Sequence, residues 1–246
     1  KIMSEILKTN NLVKNFDGIH AVDHLSISIE EGKITSIIGP NGSGKTTLIN
    51  LISGVKPIDG GHIIIKGISL SKIKPYEVSS YGMTRTFQNI KLFEQMTVLD
   101  NILVVITKRN LWSALFEKHK DYHLKQAEEV LRKVNLWEKK NELAVNLSYG
   151  QRKLLEIARA ISMDVNIFLF DEPLAGLFPE MRKIIVSVIK ELKEHRKTII
   201  LIEHNMDLIR ELSDHLIVMD EGKLLAEGNP EKVLSQKNVI EAYLGE

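Results

Sequence analysis

The nine residues Gly39-Pro-Asn-Gly-Ser-Gly-Lys-Thr-Thr47 constrain this chain more than any other stretch. They fit the pattern G-x-x-x-x-G-K-[ST] at Gly39, Gly44, Lys45 and Thr46, with Pro40, Asn41, Gly42, Ser43 and Thr47 completing the loop. The apolar run Ile34–Ile38 reads as a strand before it, and residues 47–52 read as a helix after it. A strand that turns into a helix through glycines can aim successive backbone N–H groups inward, and the helix N-terminus adds partial positive charge. Such a cradle suits phosphate: Lys45 would reach the β- and γ-phosphates of a nucleoside triphosphate, and Thr46 would bind Mg²⁺. The plainer alternative is a glycine-rich turn with a surface lysine, and the rest of the chain has to decide between them.

The 246 residues suffice for one large α/β domain, or a domain with a subdomain. A net charge of +1 offers no global field to recruit nucleic acid or an anionic membrane, so function must come from local sites. The absence of cysteine excludes disulfides, thiol catalysis and Cys-ligated zinc. The longest apolar runs, such as residues 102–106 and Thr198–Ile202, fall far below the roughly 18 residues of a spanning helix, so the chain is not expected to cross a membrane. Nothing at the N-terminus resembles a cleaved signal, and Met3 is the expected natural start.

Residues 6–38 alternate short apolar runs with turn signals at Asp17-Gly18 and Glu31-Gly32, and Leu25-Ser-Ile-Ser-Ile29 alternates strictly; antiparallel hairpins follow. Phe16, beside the first turn, is either a core aromatic or a ring free to stack on a base. Gly54 is the expected C-cap of the helix after the glycine loop, and Ile63-Ile64-Ile65 is a further hairpin strand. From Asn89 to Arg159 the pattern is helical, with Leu111, Trp112, Leu115 and Phe116 on one apolar face and an amphipathic helix over residues 125–140. His119 and His123 stand four apart, but with no third ligand nearby a surface pair is expected rather than a metal site. At residues 167–170 an apolar strand ends in Asp171-Glu172-Pro173, placing two carboxylates where parallel sheets hold their ligands. Combined with the glycine loop, this makes Asp171 a candidate Mg²⁺ holder. A helix over residues 179–194, a strand over 198–202 ending in Glu203-His204, a helix, strands over 216–219 and 224–226, and one amphipathic C-terminal helix complete the reading.

Residues 146–160, Asn-Leu-Ser-Tyr-Gly-Gln-Arg-Lys-Leu-Leu-Glu-Ile-Ala-Arg-Ala, resemble the L-S-G-G-Q signature of ATP-binding-cassette (ABC) ATPases, with Tyr149 in place of the first glycine. Ser148 is equally a candidate helix N-cap, and both readings can hold at once. Glycine loop, Gln88, signature, Asp171-Glu172 and His204 follow in the family's order, and the resemblance runs from Ile6 to Glu246. It implies an α/β fold: a P-loop NTPase core with an antiparallel β subdomain over residues 1–87 and 161–246, and an inserted helical subdomain over 88–160. It also implies ATP and Mg²⁺ as ligands and water as the acceptor. Glu172 would be the general base, His204 would contact the γ-phosphate, and Gln88 would touch the Mg²⁺ or the attacking water. Thr46, Gln88 and Asp171 would be the metal-side residues, Phe16 would stack on adenine, and Ser148 and Gly150 would bind γ-phosphate from the opposite cassette of a head-to-tail dimer, with Gln151 also among the nucleotide-binding residues. Phe178 departs from the family, standing where Asp or Asn is usual, and puts polar coupling across the dimer in doubt.

Within the family, Arg85-Thr86-Phe87-Gln88, Leu92-Phe93, residues 96–101, the insertion near 111–116, residues 201–206 and the ending 239–246 resemble the ATP-binding subunits of branched-chain amino-acid importers. That resemblance implies transmembrane permease subunits as partners, a second cassette, identical or related, and indirectly a periplasmic or extracellular solute-binding protein. It implies a peripheral location on the cytoplasmic face of the membrane and no nucleic-acid partner. The surface near residues 87–99, expected to be helical, is the candidate face for a membrane subunit. Lipopolysaccharide-export cassettes end similarly but typically carry Glu where Gln151 stands. Soluble cassettes acting on ribosomes or DNA are the other alternative; a single cassette, about a hundred residues between glycine loop and signature, and no basic tract count against them.

Overall fold

The computed structural model describes residues 5–87, 90–107 and 118–244, with side chains except at 118–120 and 244. In chain order the first elements are β1 (Glu5–Phe16), β2 (Ile19–Leu25), β3 (Ser28–Glu30), β4 (Ile34–Ile38), α1 (Lys45–Ile52), β5 (Gly60–Ile65), β6 (Ile68–Leu70) and β7 (Met83–Arg85). Helices α2 (Val98–Ile106), α3 (Lys118–Lys133) and α4 (Tyr149–Ile161) follow. The rest is β8 (Ile167–Asp171), α5 (Pro179–Glu194), β9 (Thr198–Ile202), α6 (Met206–Leu212), β10 (His215–Asp220), β11 (Lys223–Gly228), α7 (Pro230–Leu234) and α8 (Lys237–Leu244). The chain divides into two compact units: Lys1–Arg85, Val165–Glu172 and Lys190–Glu246 form the first, Thr86–Asp164 and Pro173–Ile189 the second.

In the first unit a six-stranded sheet runs in the order β11-β10-β4-β9-β8-β7. It is parallel from β10 to β7, with β11 antiparallel at the edge. Every residue of β4, β8 and β9 is buried, which is why β8 and β9 read as near-continuous apolar runs rather than alternating ones, while β4 buries Thr35 and Ser36 among its isoleucines. This order sets the C-terminal ends of β4, β9, β8 and β7 side by side. The second sheet is antiparallel, β2-β1-β5-β6 with β3 also on β1, and its hairpins turn at Asp17-Gly18 and Lys66-Gly67 with φ positive at both residues. One core joins the two sheets: Leu7, Ile29, Ile63 and Ile65 pack with Ile37, Ile200 and Ile217 around Leu48 and Ile52 of α1. A second core, containing Ile38, Leu216 and Val218, is covered by Ile209, Val233 and Val239 from α6 to α8.

Two expectations in this unit need correction. The Leu25–Ile29 alternation persists as burial, but the strand breaks at Ser26 and Ile27. There the Thr9 hydroxyl donates to Leu25 O and accepts from Ile27 N–H, substituting for ladder bonds. The single C-terminal helix is two: α7, capped by Asn229 with Pro230 in its first turn, stops at Ser235 before α8 begins. Gly54, φ +68°, stands one residue beyond the Ser53 cap of α1.

In the second unit, the helix expected from Asn89 starts only at Val98, where the Thr97 hydroxyl accepts from Asp100 N–H. The preceding segment is bonded to a distant one instead, Ala144 N–H to Met96 O and Val145 N–H to Glu94 O. The helix expected over 125–140 ends at Lys133. Asn135 turns left-handed (φ 56°), and the returns of Asn135 N–H to Arg132 O and Leu136 N–H to Leu131 O make a Schellman stop. Asn89, Leu111, Trp112, Leu115, Phe116 and the His119 side chain lie outside the described residues, and the His123 ring meets Tyr122 edge-on. The unit reaches beyond residues 88–160 to take in Pro173–Ile189. Local packing accounts for this: a Cβ at Gly150 would collide with Met181, and the Tyr149 ring lies against Gly176.

Candidate nucleotide site

The glycine loop leaves the C-terminal end of β4 at the centre of the parallel sheet, where open α/β sheets bind ligands. Two glycines are required sterically. A Cβ on Gly39 (φ +156°) would strike the Met219 carbonyl and the Ser43 hydroxyl, and one on Gly44 (φ +97°) would strike the Ala21 carbonyl. Lys45 opens α1 and folds back over the loop, its Nζ donating to Gly39 O at 2.8 Å, Pro40 O at 2.9 Å and Ser43 Oγ at 3.3 Å. Burial pushes the Lys45 pKa down, and the charges of Glu172 and Asp171 oppose that shift. Ser43 is buried with Lys45; Asn41, Gly42 and Thr46 are exposed, and Pro40, Gly44 and Thr47 are half-buried.

Asp171 ends β8 fully buried, and its Oδ2 accepts from Arg85 Nη2 at 2.9 Å. Arg85 Nη1 also donates to Asn50 Oδ1 (2.7 Å) and Ser53 Oγ (2.8 Å), so one guanidinium ties the ends of β7, β8 and α1 together. Glu172 follows in a left-handed conformation, φ 49°, with its N–H on Ile202 O. For an L-residue that conformation costs about 1–2 kcal/mol. Its Oε1 lies 3.0 Å from His204 Nε2, the residue that emerges after β9. Lys45, Asp171, Glu172 and His204 are thus gathered at neighbouring strand ends. Phe16 closes β1 partly exposed, at 37%, with the Lys14 and Lys56 ammonium groups 5.3 and 5.7 Å from its ring centroid. It is a surface ring flanked by cations rather than a core aromatic.

In the second unit Ser148 caps α4. Its hydroxyl accepts from Gln151 N–H, and Gln151 Oε1 accepts from Ser148 N–H, a complete capping box. Tyr149 and Phe178 are exposed, Phe178 at 74%. Gln88 lies outside the described residues. Sequence reasoning missed the role of Arg85 and the burial of Lys153 and Glu156. The last two carried a signal: a Lys and a Glu three apart on a helix whose neighbours Leu154, Leu155, Ile157 and Ala158 are all apolar.

Tyr243 of α8 packs on the core that contains Ile38, and its buried hydroxyl sits near Gly39 without completing a hydrogen bond. Burial pushes its pKa up to about 12, opposed by the Gly39 backbone N–H. An unfolded tyrosine ionises near pH ~10. Between these values the unfolded chain releases a proton that the native chain keeps, so stability falls as pH rises through that window. Urea midpoints at pH 9 and pH 11.5 are expected to fall less in Tyr243→Phe than in the parent; equal falls would contradict the assignment.

Comparison with known proteins adds the following. The ABC transporter family pattern matches residues 22–175. A probable branched-chain amino acid transport ATP-binding protein, LivG, of Archaeoglobus fulgidus is 38% identical over 251 residues, covering 98% of this chain and 96% of that protein. The ADP conformation of an ATP-binding cassette of an ABC transporter matches with TM-score 0.84 and 36% identity, covering 99% of this chain and 100% of that one. A dimeric cassette in a post-hydrolysis state bound to ADP and phosphate matches with TM-score 0.80 and 26% identity, covering 91% and 98% of the two chains.

Proposed function

The chain belongs to the ABC transporter family of ATP-binding cassettes, and from that premise we propose that its ATPase activity drives import of branched-chain, hydrophobic amino acids through transmembrane partner subunits. The observation that carries the ATPase chemistry is the Glu172–His204 pair at neighbouring strand ends, with Lys45 close enough to feel the charge of Glu172. Glu172 takes the proton of the attacking water, His204 holds the carboxylate in place and reaches toward the γ-phosphate, and Lys45 holds the β- and γ-phosphates. The loop N–H groups and the N-terminus of α1 bind the remaining phosphate oxygens. Adenine stacks on Phe16. The solute assignment rests on the named relative, because a cassette holds no solute pocket of its own.

The residues at hand suit Mg²⁺. Among the described residues no three His, Cys, Asp or Glu cluster as an all-protein metal cage. Mg²⁺ does not require one: it takes one or two protein oxygens plus substrate phosphates and water. The Asp171 carboxylate and the Thr46 hydroxyl are such hard oxygen donors, and Gln88 would add its amide oxygen. When bound, the ion neutralises charge on the phosphates.

Among the described residues no helix is long and apolar enough to cross a membrane, so transport requires partners. Phe93, Met96, Leu143 and Val145 expose apolar side chains on two segments of the second unit that are bonded to each other. This surface, a loop rather than the expected helix, is the face for a permease subunit on the cytoplasmic side of the membrane. Ser148, Gly150 and Gln151 complete the site of a second cassette, identical or related. Ser148→Arg is therefore expected to leave nucleotide binding by the single chain within about twofold and to abolish the ATP-dependent dimer in size-exclusion chromatography. Dimerisation of that variant would remove the signature from the interface. The reading as a whole is tested by recovering Glu172→Gln protein with ATP and Mg²⁺ from solubilised membranes of the native host and identifying its companions by mass spectrometry. Two polytopic permeases with a second cassette, followed by leucine uptake that depends on this chain, support the importer. Export components, ribosomes or DNA-repair proteins, or nucleic-acid binding with a steep salt slope, would overturn it.

A further inference from the structure

Phe16 is the last residue of β1, and the pairing that leads to it is irregular on both sides. Against β2 the register shifts between Leu12 and Lys14 and again between Lys14 and Asn15; against β5 it shifts between Asn10 and Val13. Shifts of this kind bend a strand and re-aim the side chains beyond them. Asp59, the residue before β5, ties this stretch down. Its N–H donates to Val13 O at 3.1 Å, its Oδ2 accepts from Asn15 N–H at 2.8 Å, and its Oδ1 accepts from Lys14 Nζ at 2.7 Å. The Lys14 ammonium lies 5.3 Å from the Phe16 ring centroid, and the Lys14 side chain is only 8% exposed. An apolar side chain of like length would fill that space without the cost of burying an ammonium. What the charge adds is position: a cation fixed by Asp59 against the ring. The β1–β2 hairpin also touches the glycine loop. Asp23 N–H of β2 donates to Gly222 O, Gly222 N–H donates to Ser43 O, and the Ala21 carbonyl closes on Gly44.

We propose that Asp59 and Lys14 are positioning residues for base recognition: they hold the end of β1 so that Phe16 is a preformed stacking platform for the base of a nucleotide whose phosphates lie in the glycine loop. The proposal rests on the reading of Phe16 given above. Two charge-assisted hydrogen bonds to one carboxylate fix the residues on which the ring is mounted, so the base meets a surface that does not have to be ordered on binding. The bonds that do this fall within residues 13–15 and 59, and the glycine loop takes no part in them. Asp59 and Lys14 therefore act on the base end of the ligand and leave the phosphate end alone.

The test is the double variant Lys14→Met/Asp59→Ala, which removes both charges together and so strands neither, with Lys14→Met/Asp59→Asn as the conservative comparison that keeps an acceptor for Asn15 N–H. Binding of ATP and of inorganic tripolyphosphate, which has the phosphate chain but no base, is measured by calorimetry. In the Met/Ala variant ATP affinity should fall about five- to tenfold, while tripolyphosphate affinity stays within about twofold of the parent. A general loss of structure would weaken both alike. The Met/Asn variant should recover much of the ATP affinity. In a Phe16→Ala background, which by itself should cost at least as much for ATP and nothing for tripolyphosphate, the Met/Ala pair should cost nothing further. Parental ATP affinity in the Met/Ala variant, equal losses for ATP and tripolyphosphate, no recovery with Asn, or additive losses with Phe16→Ala would each overturn the proposal. Parental ATP affinity in Phe16→Ala alone would instead overturn the reading of Phe16, and the inference with it.

Discussion

Glu172→Gln is expected to lower kcat by about 10²- to 10⁴-fold, the usual contribution of a positioned general base, while ATP binding persists. The substitution keeps the volume and leaves an amide oxygen to bond His204, so the 3.0 Å contact can survive; what is lost is the capacity to take a proton. ATP then remains at the interface of two cassettes, and the dimer should accumulate in size-exclusion chromatography with ATP and Mg²⁺ but not with ADP. Unchanged turnover would place the base elsewhere. Backbone conformation supplies a control. Glu172 holds a left-handed φ of 49° that glycine adopts without penalty, so Glu172→Gly should be equally inactive yet gain thermal stability. Strain kept at the proposed general base, in a strand-to-loop junction that a glycine would relax, fits the pattern of stability given up for function.

The parts of this site that could be read from the sequence are those whose physics is local. Buried parallel strands announce themselves as short, mostly apolar runs without alternation, as at residues 167–170 and 199–202, and the residues that follow them inherit the ligand-binding edge of the sheet. The α4 cap was legible because Ser148 directly precedes an amphipathic helical run, and the structure adds Gln151 as its capping-box partner. What could not be read depends on partners far along the chain. Residues 93–97 look helical by periodicity, but 143–145 supply their hydrogen-bond partners, and Thr97 sets the true start of α2. Thr9 interrupts a strand sixteen to eighteen residues away. Asn135 stops α3 by adopting a conformation that many asparagines never take. Arg85 appeared only as part of a recognisable string, whereas its chemistry, joining Asp171 to Asn50 and Ser53, needs three elements to be folded first.

Lys45→Ala is expected to weaken ATP binding by about 10- to 100-fold, since a hydrogen bond to a charged group contributes about 1.5–3 kcal/mol. The arrangement around Lys45 explains why so little else should change. Its bonds to Gly39 and Pro40 carbonyls lie within one loop, and the α1 side chains that build the core, Leu48, Ile49, Leu51 and Ile52, are untouched, so the fold should survive. Electrostatics should change more. The charges of Glu172 and Asp171 act on Lys45, and without it incoming phosphates meet two carboxylates with one less counter-charge. The loss should therefore be larger for ATP than for ADP, because the γ-phosphate adds the charge that lies nearest the end of the lysine. Measured with a fluorescent analogue of each nucleotide, equal losses would mean that Lys45 serves the β-phosphate alone. Unchanged affinity for both would move the phosphate site away from Gly39 and Thr47, and would leave the Glu172–His204 pair without a γ-phosphate to act on.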